Sequence, residues 1–101
     1  MLKTNIQFSR GILFVRLKGD LNKNTIKELN VKDFKFIVLN INNMYSIDSY
    51  SIKYLNDLYR MKDKEGKMII CDKYNISNKL LKNIPKINEE YDAYKLFERM
   101  I

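Results

Sequence analysis

Three serines and one aspartate stand close together in the stretch "SIDSYSI", residues 46–52. It follows the apolar run "FKFIVLNINNMY" and precedes "KYLNDLYRMKDKEG", a charged run of helical character. A hydroxyl at the start of a helix accepts a backbone N–H and so caps the helix. The same place tolerates a phosphate, because free N–H groups and the positive end of the helix dipole stabilise negative charge. The sequence therefore predicts that Ser49 or Ser51 caps a helix or is a hydroxyl that becomes modified, and that Asp48 is either a second capping group or a group that orients Ser49.

The residues needed for common catalytic sites are missing from the sequence. There is no His, and Cys71 is the only cysteine. Zinc sites and Ser–His or Cys–His nucleophile pairs are excluded, because the ligands and the proton-shuttling imidazole are absent. There is no glycine-rich phosphate loop, and Asp48 has no second carboxylate with which to form an acid–base pair. We expect a non-enzymatic protein without metal or cofactor, in which Cys71 is a buried structural thiol.

The net charge of +7 suggests nucleic acid or an anionic membrane as a partner. Lysines outnumber arginines fifteen to four, however, and they are spread along the chain. Arg is the residue favoured for bidentate contacts with phosphates and bases, so a charge that comes mostly from scattered lysines argues against a nucleic-acid partner. A basic nucleic-acid-binding protein stays open as an alternative. No apolar run is long enough to span a bilayer and Arg16 interrupts the N-terminal apolar stretch, so we expect a cytoplasmic protein without a membrane partner.

Hydrophobic periodicity predicts strands that alternate with helices. Strands are predicted at 4–9, 12–18, 34–41 and 67–71, with a short edge strand at 86–87. Helices are predicted at 22–30, from Ile52 until Gly66 stops the helix, at 75–84 and after Asn88. Alternation of this kind is typical of a parallel sheet with crossover helices, to which the first two strands add an antiparallel hairpin. We expect a single α/β domain over residues 1–101, with a mixed, mostly parallel sheet of four to five strands and about four helices.

These patterns also predict where particular side chains lie. Ile6 and Phe8 alternate as in a half-buried strand, and Gly19 with Asp20 is expected to end the second strand. The strand at 34–41 is dense in apolar residues and is predicted to be buried on both faces. Asn24 or Thr25 is predicted to cap the helix at 22–30, and Asn88, which Glu89 and Glu90 follow, is predicted to cap the last helix. The predicted apolar face of the last helix consists of Tyr91, Tyr94, Phe97 and Ile101.

The order of elements and three motifs resemble the STAS domain family, and within it the small bacterial anti-sigma-factor antagonists. "ILFVRLKGDLNKNTIKEL" is similar to the family's opening strand, Gly-acid-Leu turn and first helix. "FIVLNINNMYSIDSYSIKYL" is similar to its hydrophobic strand followed by Asp-Ser and a helix, and "EGKMIICDKYNISNKLL" to its fourth strand and third helix. The resemblance covers nearly the whole chain, from about Asn5 to Phe97, and implies a STAS-like fold.

The resemblance also implies a function and a site. In the family, the Ser after that Asp is phosphorylated by a partner anti-sigma factor that is also a serine kinase, and a phosphatase resets it. Carried onto this chain, Ser49 is the phospho-acceptor, Asp48 is the preceding acid, and Asp20 lies in a turn close to the partner-binding surface. We therefore expect an anti-sigma-factor antagonist that binds its partner when unphosphorylated and releases it when phosphorylated, and so regulates sigma-factor-dependent transcription.

The chain departs from the family directly after the acceptor serine. Relatives usually carry a small residue and then Gly, whereas this chain has Tyr50 and Ser51. Tyr50 either obstructs a kinase built for a small residue or adds contact area for a different partner, so the alternative is a constitutive STAS scaffold or binding subunit without phosphorylation. Met44 and Tyr45 either join this interface, where Met and aromatic residues are enriched, or pack inward. The expected partner-binding surface is Asp20, Met44, Tyr45, Asp48, Ser49, Tyr50 and Ser51.

Overall fold

The computed structural model describes residues 2–31, 33–62, 67–77, 80–81 and 83–98. Its five strands are β1 (Leu2–Ser9), β2 (Ile12–Leu21), β3 (Phe36–Ile47), β4 (Lys67–Cys71) and β5 (Lys86–Ile87). A 3-10 helix at Ile26–Glu28 and two α-helices, α1 (Ser49–Lys62) and α2 (Asp92–Glu98), complete the described elements. Within those ranges, no helix combines the length and the apolar character needed to cross a membrane.

The five strands form one sheet in the order β1-β2-β3-β4-β5. β1 runs antiparallel to β2, and the three other pairings are parallel. Arg10 and Gly11 make the tight turn between β1 and β2 with positive φ angles of 52° and 81°, which match the twist of a two-residue hairpin. The predicted mixed, mostly parallel α/β fold is therefore confirmed, together with the hairpin at its edge and the short strand at 86–87.

Two hydrophobic clusters, one on each face of the sheet, hold the layers together. The larger cluster includes Val15 of β2, Leu39 of β3 and Leu55 of α1. The smaller cluster packs Val38 of β3 against Phe97 of α2. Because β3 sends alternate side chains into both clusters, the predicted burial of this strand on both faces is confirmed.

Cys71 lies in the smaller cluster and is buried, as predicted. Its Sγ accepts the Asn42 side-chain N–H at 3.5 Å and donates to the Asn88 carbonyl at 3.3 Å. Burial raises the pKa of the thiol to about 11. Cys71 is thus a structural, protonated thiol at neutral pH.

β3 carries two one-residue irregularities in its pairing with β2. In each, β3 has one residue more than β2. The first shift falls between the paired residues Arg16–Asn40 and Lys18–Asn43. The second shift falls between the paired residues Gly19–Met44 and Asp20–Ser46. One extra residue reverses which side chains of a strand face the core. After the first shift Met44 faces the larger cluster, and after the second shift Ile47 packs against it.

The prediction of about four helices is wrong, because the described residues contain two α-helices and one 3-10 helix. In place of a helix at 22–30, Asn22 Oδ1 accepts the Thr25 N–H at 3.1 Å, and Thr25 Oγ1 accepts the Asn22 N–H at 2.9 Å. Side-chain bonds of this kind offer the backbone an alternative to an α-helix, and Thr25 makes no side-chain cap to the 3-10 helix. In the predicted helix at 75–84, none of the described residues is helical, and 78, 79 and 82 lie outside the described ranges. Gly66, predicted to stop the helix that starts at Ile52, also lies outside them.

Two strands extend past their predicted C-terminal ends. β2 continues through Gly19 and Asp20 to Leu21, because the register shift at this point lets it keep pairing with β3. Gly19 has a φ of 115°, which a residue without a side chain adopts readily. β3 in turn extends from Phe36 to Ile47, so that it ends immediately before α1.

The last helix begins later than predicted. α2 starts at Asp92, and the residues before it form turns, with the Asp92 N–H donating to the Glu89 carbonyl at 3.1 Å. Phe97 is buried as predicted, whereas Tyr91 is exposed because it precedes the helix. The predicted face residue Ile101 lies outside the described ranges.

β1 is more exposed than its alternating pattern predicts. Ile6 is 59% exposed and Phe8 is 56% exposed, so the expectation of a half-buried strand is wrong. Their face of the sheet is the one that buries Val15, but among the described residues of β1 only Leu2 joins the larger cluster. As the edge strand, β1 lies at the border of the sheet, and the Phe8 ring lies tilted by 50° against the Phe34 ring at a centroid distance of 6.0 Å.

Candidate functional site

β3 leads directly into α1 at Asp48. The Asp48 Oδ1 atom accepts the Ser51 N–H at 2.8 Å, and the Asp48 carbonyl accepts the Ile52 N–H at 3.0 Å. Asp48 is therefore the N-cap of α1, and Ser49 and Ser51 are the first and third residues of the helix. The prediction that a serine caps the helix is wrong and the predicted capping role of Asp48 is confirmed, because the Asp48 carboxylate binds the N–H group that a cap satisfies.

The same carboxylate also holds the turn that follows β2. Asp48 Oδ2 accepts the Lys23 N–H at 3.0 Å, and the Asp48 N–H donates to the Leu21 carbonyl at 3.1 Å. The two oxygens of one side chain thus join this turn to the first turn of α1. Any change of charge or position at Asp48 acts on both segments.

Asp20 links β2 to β3 on the other side of that turn. Ser46, its partner in the strand register, donates its hydroxyl to Asp20 Oδ1 at 2.7 Å. The Asp20 carbonyl accepts the Thr25 hydroxyl at 2.8 Å, which fixes the path of the chain through the turn. The structure therefore brings together the predicted site residues Asp20, Asp48 and Ser49 at the end of β2 and β3.

The surroundings of Asp48 favour its ionised form. Its pKa lies below the ordinary value: the side chain and the backbone N–H of Ser51 both lie beside the carboxylate, desolvation opposes the shift, and the Lys23 N–H lowers the pKa further. Of the two Ser51 groups, the backbone N–H makes the bond of normal geometry. The Ser51 hydroxyl meets no partner with hydrogen-bond geometry among the described residues, so we assign the effect to the backbone N–H groups. The negative charge also faces the positive end of α1.

The serines around Asp48 differ in accessibility. Ser49 is exposed, whereas Ser51 is fully buried, with 0% of its surface accessible. Ser46 is exposed, but its hydroxyl is already donated to Asp20. Ser49 is therefore the serine of α1 whose hydroxyl a second protein can reach.

Two tyrosines flank this junction. Tyr50 is 50% exposed, and the Lys23 ammonium lies 5.9 Å from the centroid of its ring. Tyr45 is exposed, while Met44 is buried in the larger hydrophobic cluster. Of the predicted partner surface, Met44 and Ser51 therefore support the site from within, and Tyr45 and Tyr50 lie at the surface with Ser49.

Sequence reasoning missed two residues of this site, Lys23 and Ser46. Ser46 lies within the stretch that the sequence singled out, and its spacing before Asp48 was a usable signal. Lys23 contributes a backbone N–H and a cation above the Tyr50 ring, which depend on a contact between distant segments. The residue types around it carried no signal for that contact.

The site offers an exposed hydroxyl, a carboxylate engaged by N–H groups, and aromatic rings at the surface. In the described part of the chain, no three Cys, Asp or Glu side chains are grouped as metal ligands would be. Such an arrangement suits contact with a second protein and modification of Ser49 by it.

Solved structures share this architecture, although no protein-family model and no curated protein sequence matches the chain. The crystal structure of an anti-sigma factor antagonist from Mycobacterium paratuberculosis superposes with a TM-score of 0.82 at 17% identity, covering 97% of this chain and 95% of that chain. The anti-sigma factor antagonist SpoIIAA, in its unphosphorylated form, gives a TM-score of 0.77 at 14% identity, covering 98% of this chain and 100% of that chain. A STAS domain of an antisigma-factor antagonist from Rhodobacter sphaeroides gives 0.60 at 13% identity, covering 76% and 92%. The chain therefore has the SpoIIAA-like α/β fold of the anti-sigma factor antagonists.

Proposed function

We propose that this protein is an anti-sigma-factor antagonist whose binding to an anti-sigma factor with serine-kinase activity is controlled by phosphorylation of Ser49. The observation that carries the proposal is the exposed Ser49 hydroxyl at the first residue of α1, next to a capping aspartate that also holds the turn after β2. The likeness in fold to anti-sigma factor antagonists supports the same role. We also propose that the protein acts in the cytoplasm.

Phosphorylation at Ser49 changes the surface without requiring a change of fold. The Ser49 oxygen forms a bond to the γ-phosphorus of ATP, the bond from that phosphorus to ADP breaks, and the hydroxyl proton is released. About two negative charges are added beside the Asp48 carboxylate. The start of α1 tolerates them because of its dipole, while a partner surface that fits the neutral hydroxyl is repelled. A phosphatase that removes the phosphate restores binding.

The decisive experiment combines the protein with its cognate kinase-type anti-sigma factor and ATP, followed by intact-mass measurement. We expect one phosphate on the wild type, none on Ser49→Ala, and one on Ser51→Ala. Ser51→Ala is the matched control, because it removes a buried serine hydroxyl two residues away in the same helix. Absence of phosphate from the wild type, or phosphate that remains on Ser49→Ala, contradicts the acceptor assignment.

A second candidate function is constitutive binding, and the half-exposed Tyr50 ring favours it. In a STAS scaffold without phosphorylation, this ring and the Lys23 cation above it form the contact with the partner. Pull-down assays separate the two functions. The switch requires that Ser49→Asp lose most of the affinity for the anti-sigma factor, whereas the scaffold requires that Ser49→Asp bind normally and Tyr50→Ala bind poorly.

A further inference from the structure

A cavity of about 330 Å³ lies at the end of the sheet opposite to Ser49. Residues at the start of β2 and β3 line it, whereas Asp48 and Ser49 follow the end of β3. Its volume lies within the range of about 300–1,000 Å³ that is typical of small-molecule sites. Nothing in the proposed function uses this cavity.

The aromatic part of the cavity wall is fixed by packing. Phe36 and Phe97 lie with their ring centroids 4.9 Å apart, and Phe97 is buried. Tyr94 packs against Phe14 at a centroid distance of 5.6 Å and donates its hydroxyl to Ser9 Oγ at 3.1 Å. Because these rings are held by the core and by the hairpin, the aromatic walls exist before any ligand arrives.

Two cations stand at these aromatic walls. The Arg10 guanidinium carbon lies 5.2 Å from the centroid of the Tyr94 ring, and the Lys35 ammonium lies 5.7 Å from the centroid of the Phe36 ring. Neither cation forms an ion pair with an acid in the described part of the chain. Among the described lining residues Glu98 is the one acid, so the two cations outnumber it there. A guanidinium stacked on a ring keeps its edge N–H groups available for a carboxylate.

We propose that this cavity binds a small organic anion that has a flat aromatic body and a carboxylate. The body lies against Phe36 and Tyr94, which Phe97 supports from behind, and the carboxylate meets Arg10 and Lys35. Charge complementarity and aromatic walls favour this class over a neutral molecule of the same shape. A site of this kind would let a small molecule bind at the start of β3, at the opposite end of the strand from Ser49.

The test is a nitrogen-15 NMR titration of the wild-type protein with 2-naphthoate, compared with 2-naphthalenemethanol. The two probes share the ring and differ in the charge. We expect shifts centred on Gly11, Ile12 and Phe36, with naphthoate binding about tenfold or more tightly than the alcohol. Equal affinities, or shifts that centre elsewhere, overturn the proposal.

A paired variant tests the two cations directly. Arg10→Asn suits the positive φ at this position, and with Lys35→Gln it should abolish the preference for naphthoate while binding of the alcohol is retained. The matched control is Lys3→Gln with Lys18→Gln, which removes the same charge from two exposed residues outside the cavity. If the control loses the preference equally, the effect is one of net charge and the site assignment fails.

Discussion

The carboxylate of Asp48 accepts N–H groups from two segments, the turn after β2 and the first turn of α1. Capping alone would explain an acid before the exposed serine, and the bond to the turn after β2 gives this acid a second role. An aspartate at an N-cap stabilises a helix both as a hydrogen-bond acceptor and as a charge at the positive end of the dipole. At this position it also fixes the turn that carries Lys23 towards Tyr50.

Replacement of Asp48 should lower stability in a graded manner. Asp48→Asn retains one acceptor oxygen and Asp48→Ala retains none, so we expect melting temperatures at pH 7 in the order wild type, Asp48→Asn, Asp48→Ala. The pKa of Asp48 is lowered by folding, so the contribution of its charge is present above its unfolded pKa, about 3.9, and is lost as pH falls through the lower folded value. The gap between wild type and Asp48→Asn should therefore shrink on acidification, measured by urea unfolding at several pH values. A gap that stays constant down to acid pH contradicts a role for the charge.

The junction was predicted from the sequence, but its internal roles were not. A β-like run, a group of small polar residues and a helical run together locate the start of a helix to within a few residues. Asp and Ser are about equally good caps, so adjacent candidates cannot be ranked by residue type. The choice of Asp48 depends on the reach of its carboxylate to Ser51 and to Lys23, which only the assembled fold brings near.

At the scale of elements, α2 is attached to the sheet by a polar cluster around Glu90. Arg16 Nε donates to Glu90 Oε2 at 2.9 Å, Arg16 Nη2 donates to Glu90 Oε1 at 2.8 Å, and the Asn40 side chain donates to Glu90 Oε2 at 2.7 Å. Desolvation raises the pKa of Glu90, but the hydrogen bonds from Arg16 and Asn40 and the Arg16 charge outweigh it and lower the pKa overall. The bond to Glu90 in turn raises the pKa of Arg16.

Glu90→Gln should destabilise the protein by about 1–2 kcal/mol, a value that allows for the partial exposure of the pair. Since folding lowers the pKa of Glu90, this stability is present above the unfolded value of about 4.3 and is lost as pH falls through the folded value. Urea unfolding measures the loss, and hydrogen exchange should show faster exchange of the α2 amides. The matched control is Glu89→Gln, which breaks only the exposed ion pair with Lys73 and should cost less than about 0.5 kcal/mol. Equal effects of the two substitutions contradict the role given to Glu90.

The elements themselves were predicted well where an apolar run is dense and continuous. The strand at 67–71 is one example, and the burial of the first half of β3 on both faces is another. Prediction failed where a contact joins distant segments. Glu90 was predicted only as an acidic residue that follows the Asn88 cap of the last helix, since its partner Arg16 lies far away in the chain. Met44 was ambiguous because an extra residue in β3 reverses the alternation before it.

For the molecule as a whole, a charge of +7 is the feature most open to misinterpretation. Part of it is locally engaged, because Arg16 pairs with Glu90, Lys73 with Glu89 and Arg60 with Asp57. Lys23 and Lys35 lie on different parts of the surface, over the rings of Tyr50 and Phe36 at opposite ends of β3. A nucleic-acid interface instead requires cations grouped along one groove or face.

We therefore expect no saturable binding to a short fluorescein-labelled DNA duplex at about 150 mM salt, measured by fluorescence anisotropy. A measurement at about 20 mM salt is the control, because weak association of any strongly basic protein with DNA is visible there. Tight binding that persists at the higher salt, with a steep dependence on salt, supports the nucleic-acid alternative instead.

The two register shifts of β3 make the length of that strand as important as its composition. Each shift moves the alternation by one residue, and two shifts together restore the original phase, so that Ile47 points inward and Asp48 arrives at the turn after β2. A substitution between Asn40 and Ser46 changes one side chain, whereas a one-residue deletion there rotates every later residue of the strand. The number of residues in the segment before Ser49 therefore matters more than their identity, and this segment tolerates substitutions far better than a one-residue deletion.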